Sequence, residues 1–177
     1  MEDLRVYKTK KSIRETFLNI RRVKPLEKIK VNEICEQAMI NRATFYRYYQ
    51  DVFNLNEKLE QQALLQLLEN FDAREELLSD TERFLKEFPK AMEKSREILD
   101  VLYHDRMEEL FYRLEDYMLK TYTKEEADGQ KKLLMSFIIR GVMYSLKDIP
   151  LDEDAQKDLY ASCIVKYIAA LKPLLME

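Results

Sequence analysis

The chain has 177 residues, 46% of them apolar, with 2 Gly, 4 Pro and a net charge of −3. That apolar content suffices for a core and excludes bulk disorder, and so few glycines and prolines disfavour a turn-rich β fold. The charge is unevenly divided: residues 1–58 hold 13 Lys and Arg against 8 Asp and Glu (+5), and residues 59–177 hold 17 against 25 (−8). A basic head on an acidic body suits a protein that presents one end to a polyanion.

Residues 1–7 read as a frayed arm. A first helix is predicted from Thr9 to Val23, with Ile13, Phe17 and Ile20 at helical spacing and Leu18 widening the stripe. Lys8, Lys10, Lys11 and Arg14 crowd its first turns, where cations oppose the helix dipole. Phosphates nearby would account for that placement. Lys24–Pro25–Leu26 ends the helix, since proline cannot continue it.

A second helix is predicted from Val31 to Ala38, a turn at Met39–Ile40–Asn41 with Ile40 plugging the core, and a third helix from Arg42 to Tyr48. The third helix starts small, polar and basic (Asn41, Arg42, Thr44) and ends in Phe45, Tyr46, Arg47, Tyr48 and Tyr49. A short helix with such a start fits the major groove of DNA, and the hydroxyls and arginine at its far side can grip phosphates. Residues 31–49 therefore read as a helix-turn-helix, and the chain as a transcription regulator. Asp51 is placed as the N-cap of a fourth helix, Val52 to Phe71, with Leu55, Leu59, Leu64, Leu65, Leu67 and Leu68 apolar. The expected division is a DNA-binding domain over residues 1–50 and a regulatory and dimerisation domain over 51–177.

Beyond this lie a fifth helix, Thr81–Lys94, which Pro89 kinks or splits, a sixth, Ser95–His104, and a seventh, Arg106–Tyr122. An eighth, Lys124–Lys147, is closed by Ile149–Pro150, and a ninth, Glu153–Leu175, has Asp152 or the preceding loop as cap and Pro173 fraying its last turn. The fold class is all-α. Leu133–Leu146 and Leu159–Leu171 are apolar nearly all the way round, so each must bury more than one face. Either they form the central core of a monomer, or they pack against a second copy. The second reading is preferred here: a homodimer with two helices from each chain. Its interface candidates are Gly141, Tyr144, Ser145, Ala161, Ile164 and Ile168, where Gly141 and Ser145, four apart, permit close approach.

The apolar run Leu133–Leu146 is 14 residues long and contains Arg140, whereas a membrane span needs about 20. The first residues are charged and lack the apolar stretch of a leader. A cytoplasmic protein with no membrane partner is expected, and Cys35 and Cys163 are expected to be buried, reduced thiols. Phe, Tyr and Met are dense over residues 80–147, which suits either plain packing or an adaptable pocket. The pocket candidates are Phe88, Tyr103, Phe111, Tyr117, Phe137 and Arg140. Arg140, a lone cation in an apolar helix, needs a partner if buried. Pairing with a carboxylate across the dimer is preferred over binding an anionic effector. His104 is the only histidine, so no zinc set can be assembled, and the only glycines, Gly129 and Gly141, form no phosphate loop. No metal, cofactor or enzymatic activity is expected.

Residues 9–58 resemble the DNA-binding domain of the TetR family of bacterial transcription regulators. The likeness rests on TKKSIRETFLNI, KIKVNEICEQA and above all NRATFYRYYQDVFNL, in which Phe45, Tyr46, Tyr49 and Leu55 fall on the family's aromatic and leucine positions. The remaining 120 or so residues match in helix count only. The resemblance implies a nine-helix architecture and a dimer formed through the last two helices. It implies double-stranded operator DNA, palindromic, as partner, and a small-molecule or protein effector. By analogy Lys30, Val31 and Asn32 lie near phosphates, Arg42, Ala43 and Thr44 face base edges, and Tyr46, Arg47 and Tyr48 contact the backbone. Arg42 would suit a guanine, and Ala43 or Thr44 a thymine methyl. A repressor is the expected sign of regulation. INRATFYRYY is also similar to the branch of the family containing the dihydroxyacetone kinase operon activator, which works through a protein coactivator. The rival expectation is accordingly a dimeric interaction adaptor or coactivator-dependent activator with weak or lost DNA binding. Two positions depart from the family pattern. Met39 stands where glycine is usual, so a differently shaped turn is expected, because left-handed backbone costs a non-glycine residue roughly 1 kcal/mol. Val52 stands where lysine is usual, removing one phosphate contact.

Overall fold

A computed structural model describes residues 4–69, 77–104, 106–122, 129–148 and 154–176. Every regular element among them is helical, as the composition requires. In chain order these are α1 (Leu4–Arg21), a 3-10 turn (Leu26–Lys28), α2 (Val31–Gln37), α3 (Arg42–Tyr48), α4 (Val52–Glu69), α5 (Thr81–Tyr103), α6 (Met107–Tyr122), α7 (Gly129–Asp148) and α8 (Asp154–Met176). No helix of the described residues is long and apolar enough to cross a membrane. The expected helix end at Phe71, the start of the eighth helix at Lys124, the Ile149–Pro150 stop and the Asp152 cap lie outside the described residues.

The chain forms two compact units, Met1–Gln66 with Ser95–His104, and Leu67–Lys94 with Asp105–Glu177. The core of the first is built by Ile13, Phe17, Ile20, Ile34, Phe45, Leu55 and Leu59, joined by Leu99 and Leu102 of α5. These are the apolar positions that recur every three or four residues along α1, α2 and α4, so burial follows the helical period. An ion pair from Arg22 to Glu97 adds to the same unit. The second unit buries Leu67, Phe84, Phe88, Leu110, Leu114, Met118, Met135, Ile138, Ile139 and Val142.

Two helices and one cysteine differ from the sequence expectation. Residues 4–7, expected as an arm, belong to α1. Nothing in Leu4–Tyr7 breaks a helix, and the Thr9 hydroxyl donates to the Arg5 carbonyl at 2.8 Å. The fifth and sixth predicted helices are one, Thr81–Tyr103, running through Pro89. Proline removes one backbone donor, but a buried stripe continues on both sides of it, through Phe84, Leu85, Phe88 and Ala91, then Leu99 and Leu102. Asp80 caps this helix, accepting from the Arg83 N–H at 3.1 Å. Cys35 is buried as expected, and burial raises its thiol pKa. Cys163 is exposed, because on α8 it lies more than a quarter-turn away from the buried Ile164 and Ile168.

Candidate nucleic-acid interface

The turn between α2 and α3 is closed by two backbone bonds. The Ile40 N–H reaches the Cys35 carbonyl at 3.0 Å, and the Met39 N–H reaches the Glu36 carbonyl at 3.3 Å. Those are the paired bonds of a Schellman motif, which needs a left-handed residue one past the helix cap. Met39 supplies it, with φ of 54° and a side chain 91% exposed. The expectation of a differently shaped turn is thus corrected: the left-handed turn forms without glycine. The two bonds satisfy carbonyls at the end of α2, and the methionine side chain meets no crowding.

Asn41 then starts α3. Its Oδ1 accepts from the Thr44 N–H at 2.7 Å and from the Thr44 hydroxyl at 2.9 Å. Both side chains expected at a DNA edge are therefore engaged in capping. Phe45 is fully buried, in edge contact with Tyr46 and tilted against Tyr49. It anchors the helix and leaves Arg42, Ala43, Tyr46 and Arg47 exposed. Arg42 lies over the Tyr46 ring, 5.7 Å from its centroid, and donates to the Tyr46 hydroxyl at 3.2 Å. That hydrogen bond raises the guanidinium pKa further. The residues assigned to base and to phosphate are thus joined in the free protein.

Of the rest of the basic set, Lys10 reaches this helix, sitting over the Tyr48 ring at 5.7 Å. Lys8, Lys11, Lys30 and Asn32 are exposed, with Lys11 paired to Glu15 one turn on. Sequence reasoning missed Lys58. From α4 it donates to the Tyr48 carbonyl at 3.1 Å and lies over the Tyr49 ring at 5.3 Å. A cation at the carbonyl end of a helix is favoured by its dipole, a signal present in the sequence only once α4 is known to return to α3. Asp51 caps α4 by accepting from the Asn54 N–H at 2.7 Å. Lys24 and Glu33 tie the entrance loop to α2 at 2.7 Å. The Lys24 hydrogen bond holds the Glu33 carboxyl below the usual range.

In the second unit, the Arg140 guanidinium donates through Nε to Glu115 Oε1 at 2.7 Å, and the Ser136 hydroxyl donates to the same oxygen at 2.5 Å. The carboxylate expected across a dimer is met within the chain, on α6. Arg140 lines a cleft of about 240 Å³ with Glu108, Phe111, Tyr112 and Glu115 of α6 and Ile139, Met143 and Tyr144 of α7. Of the six pocket candidates, Phe111 and Arg140 lie in this cleft. Phe88 is buried in a stacked pair with Phe84, Tyr117 is half-buried, Phe137 is exposed, and Tyr103 is buried in the first unit. Among the interface candidates, Gly141 and Tyr144 are exposed and Ala161 and Ser145 half-buried, but Ile164 and Ile168 are buried in their own chain. The outward apolar residues are Leu133, Phe137 and Tyr144 of α7 and Leu159, Tyr160, Tyr167 and Leu174 of α8. No group of acidic, cysteine or histidine side chains suited to a metal occurs among the described residues.

Compared with protein-family models, curated proteins and solved structures, the chain has no significant match.

Proposed function

We propose that the protein is a dimeric, DNA-binding transcription regulator of the TetR type, whose affinity for a palindromic operator is modulated by an effector received in the second unit. The observation that carries this reading is the α2–turn–α3 pair. A Schellman turn and a buried Phe45 hold a seven-residue helix whose outward face bears Arg42, Ala43, Tyr46 and Arg47, within a head of charge +5. Such a helix suits direct readout of a major groove, with Arg42 released from Tyr46 to a guanine edge and the tyrosine turned to a phosphate. The dimer is supported by two runs of exposed apolar side chains, Leu133–Phe137 and Tyr160–Tyr167–Leu174, which a lone chain leaves to water and which lie outside the α6–α7 cleft that Tyr144 lines. Two recognition helices enter successive grooves only when their centres lie about 34–36 Å apart, so an effector that favours another spacing weakens binding by its differential affinity.

A mobility-shift assay against DNA from upstream of the protein's own gene tests this. Specific binding that falls steeply with salt is expected. Equal binding to any duplex, or none, overturns the regulator and leaves an interaction adaptor built on the exposed apolar runs.

A further inference from the structure

The charge in the α6–α7 cleft is arranged unusually. Glu115 is 7% exposed, and one of its oxygens takes both the Ser136 hydroxyl and the Arg140 Nε. The guanidinium is thereby held by its inner edge, while the side chain stays 59% exposed. No described residue hydrogen-bonds to its two terminal nitrogens. A guanidinium fixed through Nε presents the remaining N–H groups as a planar fork, whose natural complement is a carboxylate or a phosphate. The walls beside it are aromatic: Tyr112 is 64% and Tyr144 44% exposed, and Phe111 lies 5.9 Å from Tyr144, ring to ring. Exposed rings flanking a cation offer faces to a flat apolar group.

We propose that this cleft binds a small aromatic monocarboxylate, its carboxylate on the Arg140 fork and its ring between Tyr112 and Tyr144. A volume of about 240 Å³ falls below the roughly 300–1,000 Å³ of sites for drug-sized ligands, which limits the occupant to about one ring. Two carboxylates, Glu108 and Glu115, border the cleft and disfavour a doubly charged phosphate by like-charge repulsion. The proposal rests on the second unit being the part that receives the effector, but it can be measured without DNA.

The test is calorimetric titration of the full chain with benzoate, benzamide and benzylammonium, with ligand-observed NMR as a second readout. Benzoate should bind in preference to the neutral and cationic analogues. R140Q should weaken it by about tenfold or more, the loss of a charge-assisted pair, while R140K, which keeps the charge but not the fork, should recover part of it. Y112A, at an exposed position, should weaken benzoate with helical content unchanged. No benzoate binding, equal binding to R140Q, or preference for benzylammonium overturns the proposal. Benzoate binding in a protein that ignores operator DNA would sink the regulator and leave this site standing. Operator binding without benzoate binding would sink this site alone.

Discussion

Replacing Met39 with glycine should stabilise the protein, against the usual direction for a glycine substitution. Met39 is the non-glycine residue with positive φ among those described, at 54°. Left-handed backbone costs an L-residue roughly 1–2 kcal/mol through the Cβ clash with the following carbonyl. Glycine removes that cost but loses more backbone entropy on folding, about 0.5–1 kcal/mol. The side chain is 91% exposed, so no packing is lost. The net gain is about 0.5–1 kcal/mol, or a rise in Tm of about 1–4 °C if a chain of this length melts cooperatively. Urea melts followed by circular dichroism would show the midpoint raised with an unchanged slope. Met39→Ala serves as control: it keeps the Cβ, and its stability should stay within a few tenths of a kcal/mol of the wild type. If alanine stabilises as much as glycine, or glycine destabilises, the turn is not strained and the argument from φ is wrong.

Arg42→Ala should relax preference at one base pair and cost about 1–3 kcal/mol in binding, while Tyr46→Phe weakens all sequences alike; selection of operator variants would show unchanged preference if Arg42 reads no base. Tyr167→Glu, on the exposed side of α8, should give folded monomers in sedimentation. Ile164→Glu, buried in its own chain at 8% exposure, should unfold the second unit instead, and dimers surviving Tyr167→Glu would move the interface elsewhere. The Glu33 carboxyl, held low chiefly by the Lys24 hydrogen bond against the opposing effect of burial, contributes stability above the usual glutamate range that is lost as pH falls through its lowered value. For a pair about one-third exposed this is worth about 0.5 kcal/mol or less. Glu33→Gln should therefore be slightly less stable at neutral pH and show a shallower acid limb, and identical acid limbs would refute the assignment.

The helices of the head were legible because their signals are local. The break at Pro25, the Asp51 cap and the apolar spacing of α1 and α4 depend on neighbours within one or two turns. The single helix over Thr81–Tyr103 was not legible, since a proline reads as an end unless the burial of residues on both sides is known. The cleft was legible only at Phe111 and Arg140. Aromatics at helical spacing look alike whether they line a cavity, as Tyr112 does, or fill a core, as Phe88 does.

Sequence by itself determined the all-α class, the start and end of the α2–α3 pair and the concentration of positive charge at one end, because propensity, capping and net charge are carried by the residues themselves. Only the tertiary structure decided that Met39 sits in a left-handed turn, that Asn41 and Thr44 spend their hydrogen bonds on each other, and that Arg140 pairs with Glu115 in its own chain. The first two turn on backbone angles and side-chain choices that several conformations permit. The last joins residues 25 apart in the chain, a contact that exists only once α6 and α7 pack.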